Sequence, residues 1–210
     1  VVNVPYVYEP RMRPEAADAI DIRESVTWNI NAVSRALGKP VRDIAVVVLD
    51  RPRHDDLVGE IRQAGARIRS IPDGDVAGAI ATAWPASGAD ILFGIGGTPE
   101  GVITAAALKA MGGAIQGRLW PRDDAERQAS IDAGYDLDEV LDTERLVAGD
   151  NTFFAATGIS DGELLRGVRY TRNGAETQSL VMRSKSGTVR LVEAWHRMDK
   201  LKRFSAIDFG

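Results

Sequence analysis

A chain of 210 residues with 44% hydrophobic content is large enough for one sizeable domain, or one and a half, with its own core. A net charge of −4 excludes a general nucleic-acid binder, because gripping a phosphate backbone takes a basic face. The absence of cysteine rules out disulfides and thiolate metal sites and fits a cytoplasmic location; no apolar run approaches the length of a membrane span.

The chain opens on Val1 inside an apolar run, VVNVPYVYE, that reads as a strand over Val1 to Tyr8, and Pro10 and Pro14 break the pattern after it. Asp21 precedes a helical stretch, roughly Ser25 to Leu37, with Val26, Ile30, Val33 and Leu37 on one face, and Gly38-Lys39-Pro40 stops it. Ile44 to Leu49, IAVVVL, is a β-branched run that predicts a fully buried, parallel strand. The turn DRPRHD leads into a helix from Asp56 to Ala64, ended by Gly65. Ala66 to Ile71 is the next strand, PDGD the next turn, and Val76 to about Ala83 the next helix. Ile91-Leu92-Phe93 then reads as a short buried strand, GIGGTPEG as a glycine turn, and Val102 to Met111 as an Ala-rich helix, with Thr98 a candidate N-cap and Pro99 suited to the first turn. Strand, loop and helix thus recur three times running, which predicts a largely parallel sheet covered by helices, with a ligand at the carboxyl ends of its strands.

Further on, the pattern gives a strand about Ile115 to Trp120, a charged helix from Asp123 to Ala133, and an ambiguous segment from Val140 to Val147. A strand follows over Thr152 to Ala156. Val168 to Thr171, Thr177 to Arg183 and Thr188 to Ala194 alternate like antiparallel strands, turning at Asn173-Gly174 and Ser186-Gly187.

The three polar loops carry the chemistry. Glycines let a backbone approach a ligand, and the free N–H groups of a helix start attract anions. Glu100 would repel a phosphate there unless a divalent cation lay between; alternatively it only complements the helix dipole at a tight turn. Arg51 and Arg53 could project to one side and grip phosphate, or form a solvated pair answering Asp50, Asp55 and Asp56. Asp73 and Asp75 could hold a metal or accept from sugar hydroxyls, or serve the turn, with Asp75 as N-cap. His54 reads as a hydrogen-bonded loop histidine or, as the alternative, a base. Arg183, Lys185 and Arg190 read as a wet hairpin edge, and Trp84, Trp120 and Trp195 as core or interface. Gly94-x-Gly96 lacks the third glycine of the dinucleotide fingerprint, which disfavours a redox domain, and there is no P-loop Gly-Lys-Ser/Thr. Two histidines in such settings make no Ser-His-Asp triad.

LDRPRHDDLVGEIRQAGARI, IPDGDVAGAIATA, ADILFGIGGTPEGVITAAALKAMGG, DNTFFAATGISDGELLRGV and SLVMRSKSGTVR together resemble the class II fructose-1,6-bisphosphatases of the GlpX type, in the family's order and from about Pro14 onward. The resemblance implies a layered α/β/α/β/α sandwich of the metal-dependent sugar phosphatase type. It implies hydrolysis of the 1-phosphate of fructose-1,6-bisphosphate with Mg2+ or Mn2+ in gluconeogenesis, sedoheptulose-1,7-bisphosphate being used by some relatives. It makes Glu100 a metal ligand, and Arg51, Arg53, Asp73, Asp75, Gly97 and Tyr6 (or Tyr8) substrate contacts. A homo-oligomer with no nucleic-acid or membrane partner is expected. The family's further N-terminal region, with most metal ligands and the catalytic residues, is not recognised here. Residues 1–15 are then expected to be the end of that region and 16–210 the C-terminal sugar-phosphatase domain, inactive alone. The alternative is a non-catalytic sugar-phosphate-binding module.

Overall fold

The structure, a computed structural model, describes residues 6–12, 14–84 and 86–204. Its architecture follows from the β-branched run. All five residues of β2 (Ala45–Leu49) are buried, and alternate side chains enter two different cores. Val46 and Val48 share a core with Val26, Ile30 and Val33 of α1 (Val26–Leu37) and Leu57 and Ile61 of α2 (Asp55–Ala64). Val47 and Leu49 share the other with Ile71 of β3 (Arg67–Ile71), Ala79 and Ala81 of α3 (Asp75–Ala83) and Leu92 of β4 (Ile91–Gly97). A strand can be apolar throughout only when both its faces are covered.

The central sheet runs β3-β2-β4-β1-β5-β6, with β1 (Tyr6–Met12), β5 (Ala114–Leu119) and β6 (Leu141–Asp142) completing it. It is parallel only over β3, β2 and β4. β1 enters antiparallel between β4 and β5, in register from Tyr6–Gly97 to Met12–Ile91, so the expected largely parallel sheet is a mixed one. Two further differences come from this strand. It continues through Pro10, pairing with β5 at Val7–Leu119 and Tyr8–Arg118 and again at Arg11–Ile115 and Met12–Ala114, on either side of the residue that has no N–H to give. And Gly94 to Gly97, expected as a turn, is extended because β1 lies beside it. Residues 6–12, assigned from sequence to the region before 16–210, thus lie within the sheet; Val1 to Pro5 of the expected strand fall outside the described residues.

α4 (Thr98–Met111) lies between two sheets. Ala105 and Leu108 pack with Ile115 of the first, and Ala107 and Ala110 with Phe154, Leu180 and Met182 of the second. The second sheet runs β10-β9-β7, with β8 beside β9, and is antiparallel throughout: β7 (Phe153–Thr157), β8 (Arg169–Thr171), β9 (Gly174–Arg183) and β10 (Thr188–Arg197). The β8–β9 hairpin closes at Thr171–Gly174, so its turn residues are Arg172 and Asn173, one earlier than the sequence suggested. The ambiguous segment is β6 followed by the single turn α6 (Thr143–Leu146). α5 (Asp124–Asp132) is capped by the Asp123 carboxylate, and α7 (Met198–Phe204) follows β10. Helix, sheet, helix and sheet therefore alternate in a layered α/β sandwich. Trp84 packs against the α4 core, whereas Trp120 and Trp195 are exposed and so are not core residues of this chain. Among the described residues no helix is long and apolar enough to cross a membrane.

Candidate functional site

β2 is the point where the sheet's winding reverses: the chain leaves it for β3 on one side and returns past it to β4 on the other. α2 covers one face and α3 the other, so the loops at the carboxyl ends diverge and leave a crevice, the usual ligand position in open α/β sheets. It is a cleft of about 470 Å3, into which the three loops bring Arg51 and Arg53, Asp73 and Asp75, and Gly97 and Glu100.

The loop after β2 tightens into a 3-10 turn over Pro52–His54. His54 is buried, its Nδ1 2.9 Å from the Leu49 carbonyl and its Nε2 accepting the Ile95 N–H at 2.9 Å. Arg53 Nε and Nη2 both donate to the Ile95 carbonyl, at 3.0 and 2.8 Å, and Arg51 Nη1 donates to the Asp50 carbonyl at 2.8 Å. The two guanidinium groups are thus oriented by backbone carbonyls.

In the loop after β3, Gly74 adopts φ 77°, a left-handed conformation that costs glycine little. That residue, not Asp75, takes the N-cap position; Asp75 is the first residue of α3, and its carboxylate accepts the Val76 N–H at 2.9 Å. After β4, likewise, extended geometry persists to Gly97 (φ −68°, ψ 143°), which caps α4 in place of Thr98, leaving Pro99 in the first turn. The Glu100 carboxylate folds back over Gly97, where a Cβ would overlap it. Any side chain at position 97 would displace that carboxylate. The backbone of Tyr6 lies opposite Gly97 and that of Tyr8 opposite Ile95; their side chains lie outside the described part of the structure.

The cleft therefore sets two guanidinium groups and the N-terminal N–H groups of two helices against three carboxylates. Helix starts and arginines attract phosphate, and carboxylates accept from hydroxyls. Such a mixture suits a ligand with phosphate and hydroxyl groups. Among the described residues no group of three or more His, Asp or Glu comes together to hold a metal ion, so these residues alone do not make a metal centre. Arg183, Lys185 and Arg190 lie on the β9–β10 hairpin and do not line the cleft; Arg183 donates to Asn151 and stacks over Phe153. The contribution of the Ile95 peptide had no side-chain signal in the sequence.

Burial, and then the positive charge of Arg53 and Arg51, hold the His54 pKa below its ordinary 6.5, against the raising effect of its bond to the Leu49 carbonyl. Its stabilising contribution is therefore complete above pH 6.5 and declines as pH falls below that value toward the folded pKa, since the unfolded chain binds the proton more readily. Thermal midpoints measured from pH 7.5 down to 5.5 should fall in the native chain and fall less in His54→Gln. Equal slopes would contradict this.

The family model for bacterial fructose-1,6-bisphosphatase, glpX-encoded, matches residues 3–196. The chain is 41% identical over 217 residues to the D-fructose 1,6-bisphosphatase class 2/sedoheptulose 1,7-bisphosphatase of Trichodesmium erythraeum, covering 96% of this chain and 63% of the relative. It is 42% identical over 205 residues to the protein of the same name from Synechococcus elongatus, covering 91% and 59%. The chain spans about three fifths of the length of these curated relatives. It belongs to the glpX-encoded family of bacterial fructose-1,6-bisphosphatases.

Proposed function

We propose that this chain supplies the substrate-gripping part of a phosphatase that hydrolyses the 1-phosphate of fructose-1,6-bisphosphate, giving fructose 6-phosphate and phosphate, as gluconeogenesis requires. The observation that carries the reading is the convergence of Arg51, Arg53, Asp73, Asp75 and Glu100 on one cleft at the strand ends. In this reading Arg53 and Arg51 hold a phosphate by charge-assisted hydrogen bonds, and Asp73 and Asp75 accept from sugar hydroxyls. The Gly97 backbone and Tyr6 complete the contact. Both relatives are also named sedoheptulose 1,7-bisphosphatases, so a seven-carbon bisphosphate is a second candidate substrate of this reading.

Glu100 is proposed as one donor to a Mg2+ or Mn2+ ion that would offset the cleft's carboxylates beside a phosphate. Such ions take about six oxygen ligands, so beside Glu100 the sphere would be completed by water, phosphate oxygens or further side chains.

The experiment is calorimetric titration of fructose-1,6-bisphosphate into the native chain and Arg53→Ala. Losing a charge-assisted contact of about 1.5–3 kcal/mol should weaken binding by roughly ten- to a hundredfold. Affinity within twofold of the native chain would remove the phosphate role.

A further inference from the structure

β2 and β4 pair at Val46–Ile91 and Val47–Leu92. Further along β4, the Ile95 peptide is engaged on this side by side chains from the loop after β2. Its N–H is held by His54 Nε2 and its carbonyl by Arg53. Because the Ile95 N–H makes Nε2 an acceptor, and the Leu49 carbonyl can only accept, Nδ1 must carry the proton. Two backbone groups on two strands therefore fix one neutral tautomer. The ring is only 1% exposed and packs over Gly94, where a Cβ would stand 3.6 Å from Cε1.

We propose that His54 is a positioning residue, which holds the extended Ile95 backbone so that the carbonyl of that residue presets the Arg53 guanidinium toward the cleft. The proposal rests on the phosphate reading of the cleft. An arginine loses considerable side-chain freedom when it grips a ligand, and ordering it beforehand removes that cost from binding. The order depends on the Ile95 carbonyl pointing at the loop, and His54 fixes the N–H of that same residue.

The chain has two histidines, so a nitrogen-15 imidazole spectrum of the native chain, with the His54→Gln variant for assignment, reads the tautomer directly. Neutral His54 protonated at Nδ1 is expected; a proton on Nε2 overturns the proposal without any binding data. Inorganic phosphate and fructose-1,6-bisphosphate are then titrated into the native chain, His54→Gln, His54→Phe and Arg53→Ala, each checked for folding by circular dichroism. Phenylalanine keeps the ring volume and loses both bonds, and should weaken binding of both probes by about tenfold. Glutamine can offer its amide oxygen to the Ile95 N–H, and should restore affinity to within about threefold. If Arg53→Ala weakens binding but His54→Phe does not, or if glutamine does no better than phenylalanine, the positioning role is wrong and the phosphate reading stands. If Arg53→Ala binds both probes like the native chain, the phosphate reading itself has failed. Should His54→Phe not fold, His54→Leu, which also loses both bonds, takes its place in the comparison with His54→Gln, and the native tautomer remains an independent test.

Discussion

Replacing Asp90 with alanine is expected to lower the unfolding free energy by about 3 kcal/mol, which for a chain of this size moves the thermal midpoint by roughly 6–12 °C. Asp90 is fully buried just before β4. Its carboxylate accepts Lys39 Nζ at 2.8 and 2.9 Å and the Ala45 N–H at 2.9 Å, while its own N–H donates to the Ala45 carbonyl at 2.9 Å. It thereby ties the start of β2 to the start of β4, the two strands whose far ends frame the cleft. After the substitution the Lys39 side chain, 37% exposed, can recover water, but the buried Ala45 N–H cannot. A buried donor left unmatched costs about 1–3 kcal/mol, and the vacated volume adds to it. Asp90→Asn can still accept from both partners and should lose only about 1 kcal/mol. The two variants compared by urea unfolding separate these effects; an alanine variant as stable as the native chain would show that the buried pair does not support the sheet.

Asp90 shows why some of the structure was open to sequence reasoning and some was not. The IAVVVL run announced a strand covered on both faces, because period and composition are properties of a segment by itself. The helix stop at Gly38, and the order of strand, loop and helix that brings three polar loops to one edge, are local in the same sense. Asp90, by contrast, draws its meaning from Lys39 and Ala45, 51 and 45 residues away. No local pattern marks such a partner. The antiparallel entry of β1 was hidden for a related reason: periodicity identifies a strand but not its neighbour. Gly94 to Gly97 has the composition of a turn and is extended only because another strand lies along it. His54 was recognisable as a hydrogen-bonded loop residue, but the peptide it holds, Ile95, was not, since a backbone N–H has no sequence signature. Arg51 and Arg53, Asp73 and Asp75, and Glu100 lie on three separate stretches of chain, and only the fold brings them around one space.

Residues 1–210 on their own are expected to bind fructose-1,6-bisphosphate weakly and to release no phosphate from it at an enzymatic rate. Gripping and hydrolysing make different demands. The grip needs cations, helix N-termini and hydroxyl acceptors, and Arg51, Arg53, Asp73 and Asp75 line the cleft with the starts of α3 and α4. Hydrolysis needs an attacking water held in line with the leaving oxygen, and loss of that alignment forfeits much of the acceleration that positioning supplies. A divalent ion held through Glu100 alone would complete its shell from solvent and fix no such water, and among the described residues no three His, Asp or Glu gather around one ion. The measurement is phosphate release from fructose-1,6-bisphosphate with Mg2+ and then Mn2+, on protein shown to be folded and to bind the sugar bisphosphate. Turnover below about 0.01 per second is expected, where ordinary enzymes reach about 1–10 per second. Binding without turnover would place this chain's contribution in recognition, and measurable affinity for fructose 6-phosphate under the same conditions would fit a cleft that retains the product's phosphate. Turnover of several per second would mean that the cleft already holds the whole catalytic centre. In that event Asp73→Asn and Asp75→Asn should be assayed beside Glu100→Gln, because these three carboxylates line the cleft.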